Sequence, residues 1–119
     1  MRILVVDDEP MVRFLLVRFL EEEGHTVDEA ADGIDALEHL SQRPYDLLIT
    51  DVHMPRMSGI DLVRAVRRQG NRIPLIVMDS YPDLFMESEV GAEAFAMLAK
   101  PFDLSEVRRV LQQLEPQPV

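Results

Sequence analysis

Cysteine is absent from these 119 residues. That excludes disulfides, zinc–thiolate and iron–sulfur centres, and a cysteine nucleophile. No apolar run approaches the ~20 residues a membrane helix needs. The N-terminal MRILVVDDEP turns acidic where a signal peptide would stay apolar. The expectation is a soluble, cytoplasmic protein. Positive charge is also scarce, with 12 Lys and Arg against 22 Asp and Glu and a net charge of −10. Direct nucleic-acid binding by this domain is therefore not expected, because phosphate contacts need clustered cations. Arg64, Arg67 and Arg68 form the only dense basic group, and amid so many acids they read as a solvated helix face.

The length suits one compact domain over residues 1–119, with a core over about 2–114 and a tail or linker stub at 115–119. Hydrophobic residues at 47% and charged residues at 29% argue against disorder. Five apolar runs alternate with helical segments, the pattern of an α/β fold with a parallel sheet covered on both faces. The runs are ILVV at 3–6, a weaker one at Thr26 to Ala30, DLLIT at 46–50, IPLIVM at 73–78 and AFAML at 94–98.

The first helix is expected after Asp8, with Pro10 in its first turn, Gly24 at its end, and Val12, Leu15, Leu16 and Phe19 buried. A second starts at Asp32, turns Ile34, Leu37 and Leu40 inward and ends before Pro44. The third runs from Ser58 to Gln69, with Gly70 as its stop. A short, weakly stable fourth helix falls between Asp83 and Ala94, where Gly91 interrupts the pattern. The last opens with Asp103 and Glu106 at capping-box spacing, buries Leu104, Val107, Leu111 and Leu114, and is ended by Pro116 and Pro118.

Asp7 and Asp8, Asp51, Asp79 and Lys100 each follow directly on an expected strand, so all lie on one rim of the sheet, where ligands of open α/β sheets bind. Magnesium takes oxygen ligands, commonly one or two carboxylates together with phosphate oxygens. Asp8 and Asp51 can supply those carboxylates, and Asp7 can orient them or act through water. A carboxylate can attack phosphorus only if the oxygens being transferred are neutralised, and Mg2+ and Lys100 would bring that charge. The bland alternative, that Asp7 or Asp8 only caps a helix, is outweighed by Asp51 and Lys100. Pro101 restricts the backbone at Lys100 and helps hold it. Met54 and Met57 are expected to pack against the third helix, Pro55 and Gly59 to shape the turn before it, and His25 and His39 to be surface residues.

The ordered set VVDDEP, DVHMPRMSG, IPLIVM and KPFD resembles the receiver domain of two-component response regulators, from Arg2 to about Leu114. The resemblance implies a doubly wound, flavodoxin-like sheet of five parallel strands in the order 2-1-3-4-5, flanked by five helices. It implies that Asp51 is the phosphoacceptor, taking a phosphoryl group from a histidine kinase or histidine phosphotransfer protein. Asp8, Asp51 and the backbone carbonyl of His53 would bind Mg2+ with Asp7 in support, and Lys100 would contact the phosphoryl oxygens. The His53 side chain is not expected to bind metal. The surface of the fourth helix, fifth strand and fifth helix would engage an output partner or domain, and a homodimer is left open. Such a protein is a signalling module and not an enzyme.

Two positions depart from that family pattern. Asp79 stands where receivers carry a serine or threonine hydroxyl, and Met97 where they carry an aromatic residue, with Phe95 two residues earlier on the same strand face. A second anion ~4 Å from an aspartyl phosphate costs about 4 kcal/mol at an effective dielectric of 20. Asp79 is therefore protonated, turned away or paired with Lys100, or a brake on phosphorylation that partly imitates the active state; facing solvent is the plain alternative. Ser80 is a poor substitute, because adjacent strand residues point to opposite faces. Two functions follow: a phosphorylation-controlled receiver, or an interaction module independent of phosphorylation. A metal-dependent phosphatase ranks last, since no second aspartate stands two places after Asp51 and no cap domain is evident.

Overall fold

The computed structural model describes residues 1–115. Strands β1 (Arg2–Val6), β2 (Thr26–Ala30), β3 (Leu47–Asp51), β4 (Leu75–Asp79) and β5 (Ala96–Ala99) alternate with helices α1 (Pro10–Glu22), α2 (Gly33–Gln42), α3 (Gly59–Arg68), α4 (Pro82–Met86) and α5 (Leu104–Leu114). All strand pairs are parallel, in the order β2-β1-β3-β4-β5. The expected architecture is the observed one.

β3 and β4 are buried along their whole length, and β1 from Ile3 onward, which is why these segments read as unbroken apolar runs. Their alternation divides the core in two. Ile3, Val5, Ile49, Ile76 and Met78 pack with Leu16, Phe19 and Leu20 of α1 and Val107, Val110 and Leu111 of α5. Leu4, Val6, Leu48, Leu75 and Val77 pack on the opposite face with Ala36 of α2, Leu62, Val63 and Val66 of α3, and Phe85 of α4. The edge strand β2, TVDEA, buries only Ala30 fully, so its sequence signal is weak.

Helix ends follow local chemistry. Asp32 caps α2 by accepting from the Asp35 amide at 2.9 Å, and Ser58 caps α3 by accepting from Asp61 at 3.2 Å. Gly24 and Gly70 take the positive φ angles that follow helix exits. The Glu106 carboxylate accepts from the Asp103 amide at the start of α5.

Several burial expectations are corrected. Leu15 and Leu104 are exposed, because the buried stripe of α1 runs through Leu16, Phe19 and Leu20, and Leu104 sits in the open first turn of α5. Both line a cleft of about 430 Å³ with Val12, Phe102, Ser80 and Lys100. Ile34 is also exposed, and Ala36 takes the inward place on α2. The uncertain stretch resolves into five residues of α4 and a 3-10 turn at Gly91–Glu93. The expectation that Pro116 and Pro118 end α5 falls outside the described residues.

Candidate functional site

The strand order reverses between β1 and β3, and the carboxyl ends of those two strands open onto one crevice. Asp7 and Asp8 leave β1 there, and Asp51 is the last residue of β3. One side-chain oxygen from each of the three lies within 4.8 Å of the others. Asp7 is fully buried, Asp51 is 5% exposed and Asp8 is open to solvent. Three convergent hard oxygen donors, one still reachable from water, fit a divalent cation such as Mg2+.

Lys100 directly follows β5 and is joined to Pro101 by a cis peptide bond. Its Nζ lies 3.0 Å from Asp7 Oδ2, 3.2 Å from Asp51 Oδ2 and 3.6 Å from Glu9. Burial works against the charge of this lysine, yet the hydrogen bond and field of Asp7, together with Asp51, lift its pKa above the ordinary value. Burial pushes the Asp51 carboxyl above the usual range; Lys100 opposes the shift and Asp7 adds to it. Asp51 Oδ1 accepts from its neighbour Val52 N–H at 2.8 Å, so the carboxylate is oriented by both backbone and lysine.

The loop after β3 is braced from two sides. Gly59 is obligatory, because a Cβ there would overlap the Asp51 carbonyl oxygen and meet Val52 Cα at 2.8 Å. Arg56 holds φ at 65°, unusual for a non-glycine residue, and forks onto Asp32 at 2.7 and 3.0 Å. That pair, with the Asp35 amide, draws Asp32 below the ordinary carboxylate pKa. Met54 and Met57 pack into the α2–α3 side of the core.

Asp79 does not face solvent and does not pair with Lys100. It ends β4 at 1% exposure, and neither of its oxygens accepts a hydrogen bond within the described residues. The nearest basic group is the exposed ring of His53, whose Nε2 is 3.2 Å from Asp79 Oδ1. Ser80 is exposed and faces the α1–α5 cleft instead. Met97 pairs in register with Val77 and packs into the core, while Phe95 precedes β5 and is 46% exposed. The register does not shift to bring Phe95 to the aromatic position.

Two further expectations change. The His25 side chain is only 6% exposed; its Nδ1 accepts from the Met1 amino group at 3.0 Å and its Nε2 is 3.3 Å from Glu115. Arg67 bonds Glu93 and the carbonyls of Asn71 and Ile73, and Arg64 pairs with Asp61 and Glu89. These arginines strap α3 to the segment after α4, while Arg68 remains exposed. The signal for that strap was the run of glutamates at 87, 89 and 93, whose register with α3 only the fold supplies.

The fold and the clustered carboxylates define a doubly wound α/β domain whose three converging carboxylates could hold a divalent cation. The family described as the response regulator receiver domain matches residues 3–112, and the chain belongs to it. Among curated relatives, a probable transcriptional regulatory protein of Picosynechococcus is 40% identical over 89% of the chain and 45% of its own length. The response regulator MprA of Mycobacterium avium is 37% identical over 98% of the chain and 54% of its own length. The chain thus spans about half the length of these relatives. Among solved structures, the response regulator TrrA of Thermotoga maritima, in complex with Mg2+ and BeF, superposes with a TM-score of 0.86 at 33% identity, covering 96% of this chain and 98% of its own. The chemotaxis response regulator CheY4 of Vibrio cholerae gives 0.85 at 31% identity, covering 96% and 98%. No helix within the described residues is long and apolar enough to cross a membrane.

Proposed function

We propose that this domain is a phosphorylation-controlled receiver that accepts a phosphoryl group on Asp51 from a histidine kinase or histidine phosphotransfer protein. The observation that carries this reading is Lys100 Nζ held between Asp51 and Asp7, beside a three-carboxylate cluster. Asp7, Asp8, Asp51 and the His53 carbonyl would hold Mg2+, which supplies positive charge to phosphoryl oxygens. Val52 N–H and Lys100 orient the Asp51 carboxylate, and Lys100 meets the incoming oxygens. Met11, Phe14 and Leu15 are exposed on α1, the helix that starts beside the site, and offer a phosphodonor protein an apolar footing. The surface of α4, β5 and α5 is the proposed contact for an output partner or domain. Incubation with acetyl phosphate and Mg2+ should add one phosphoryl group by intact mass. The adduct should vanish in Asp51→Asn; persistence of the same adduct would defeat the assignment.

A second reading, an interaction module that works without phosphorylation, is favoured by Asp79, a buried carboxylate at the switch position. It expects partner binding that Asp51→Asn retains and acetyl phosphate does not alter.

A further inference from the structure

A buried carboxylate whose oxygens accept no hydrogen bond is costly to keep unless some group satisfies it. Among the described residues Asp79 is such a carboxylate, at the end of the strand beside β3. Its backbone is fixed, since its carbonyl accepts from the Lys100 amide at 2.8 Å. His53 follows Asp51 by two residues, and its Nε2 stands 3.2 Å from Asp79 Oδ1 without the alignment of a hydrogen bond. That ring nitrogen is close to Asp79 and uncommitted to it. Much of the His53 side chain is open to solvent.

We propose that His53 and Asp79 act as a pair in place of the missing hydroxyl: Asp79 holds the imidazole beside the acceptor, and the His53 N–H turns onto a phosphoryl oxygen bound to Asp51. His53 is then the residue that touches the phosphoryl group, and Asp79 is a positioning residue. The proposal rests on Asp51 being the acceptor. The bond that forms is Asp51 Oδ–P and the bond that breaks is the P–O bond of acetyl phosphate, with acetate leaving with the electron pair. The ring keeps its proton and donates only a hydrogen bond.

The test is a double-mutant cycle on the rate of Asp51 labelling by acetyl phosphate with Mg2+. His53→Ala should slow labelling by about tenfold in the natural sequence, the loss expected for a donor to a charged group. In the Asp79→Thr background, where a hydroxyl is restored, the same substitution should cost no more than about threefold. His53→Gln, which keeps an N–H donor, should recover most of the rate in the natural background. Equal losses in both backgrounds, or a His53→Ala protein as fast as the original, would overturn the pair while leaving Asp51 as acceptor. No labelling of Asp51 in any of these proteins would overturn the acceptor reading and the pair together.

Discussion

At the residue scale, Asp51, the proposed acceptor, is a charge placed where the fold resists it. Burial and Asp7 raise the pKa of Asp51 and Lys100 only partly offsets them, so the folded state carries a net electrostatic cost once this carboxyl ionises. Below the unfolded value of 3.8 the group is protonated in both states and the cost is absent. It grows as pH rises from there to the raised folded value, and is constant above. Asp51→Asn in chelator should therefore be more stable than the original at neutral pH, by about 1 kcal/mol or a Tm rise of roughly 4 °C. The advantage should disappear in melts below pH 3.8; an Asn variant that melts lower at pH 7 would contradict the account. Asp32 shows the opposite sign, since Arg56 lowers its pKa. Its stabilisation is present above the unfolded value of 3.8 and is lost as pH falls through the lower folded one.

At the scale of elements, the β3–α3 loop is held by α2. Ser58→Ala removes a helix cap and should cost about 1 kcal/mol in denaturant unfolding. Asp32→Ala removes a cap and also the fork onto Arg56, so it should cost more. Adding Arg56→Ala to Asp32→Ala should then change little, whereas Arg56→Ala alone should destabilise the protein. If Arg56→Ala costs the same in both backgrounds, the clamp is not energetic. These elements were largely readable in advance: Pro10, Asp32, Ser58 and Asp103 mark helix starts by chemistry local to a few residues. Leu15, Ile34 and Leu104 were misread as core because helical periodicity gives a stripe, and which edge of the stripe faces a neighbour depends on how the helix is rolled on the sheet.

At the scale of the whole molecule, a cation held by the carboxylate cluster as proposed would couple its binding to folding. Mg2+ at ten times its Kd should stabilise the domain by ~1.4 kcal/mol, a Tm shift of about 5 °C, and the shift should be lost in Asp8→Asn. An equal shift in that variant would place the ion elsewhere. The sequence by itself determined the parallel α/β class, the five strands within two residues at each end, and the presence of Asp7, Asp8, Asp51 and Lys100 on one rim. Strand periodicity and the convergence of strand ends are properties of chain order, so they survive without coordinates. Only the tertiary structure decided what Asp79 touches, that His25 is enclosed, and that Arg64 and Arg67 bind the glutamates after α4. Those contacts join residues 25 or more positions apart through side chains whose reach and direction are set by packing. Lys100 between Asp51 and Asp7 was foreseeable as a neighbourhood, whereas His53 beside Asp79 required knowing how the loop after β3 is folded back over the end of β4.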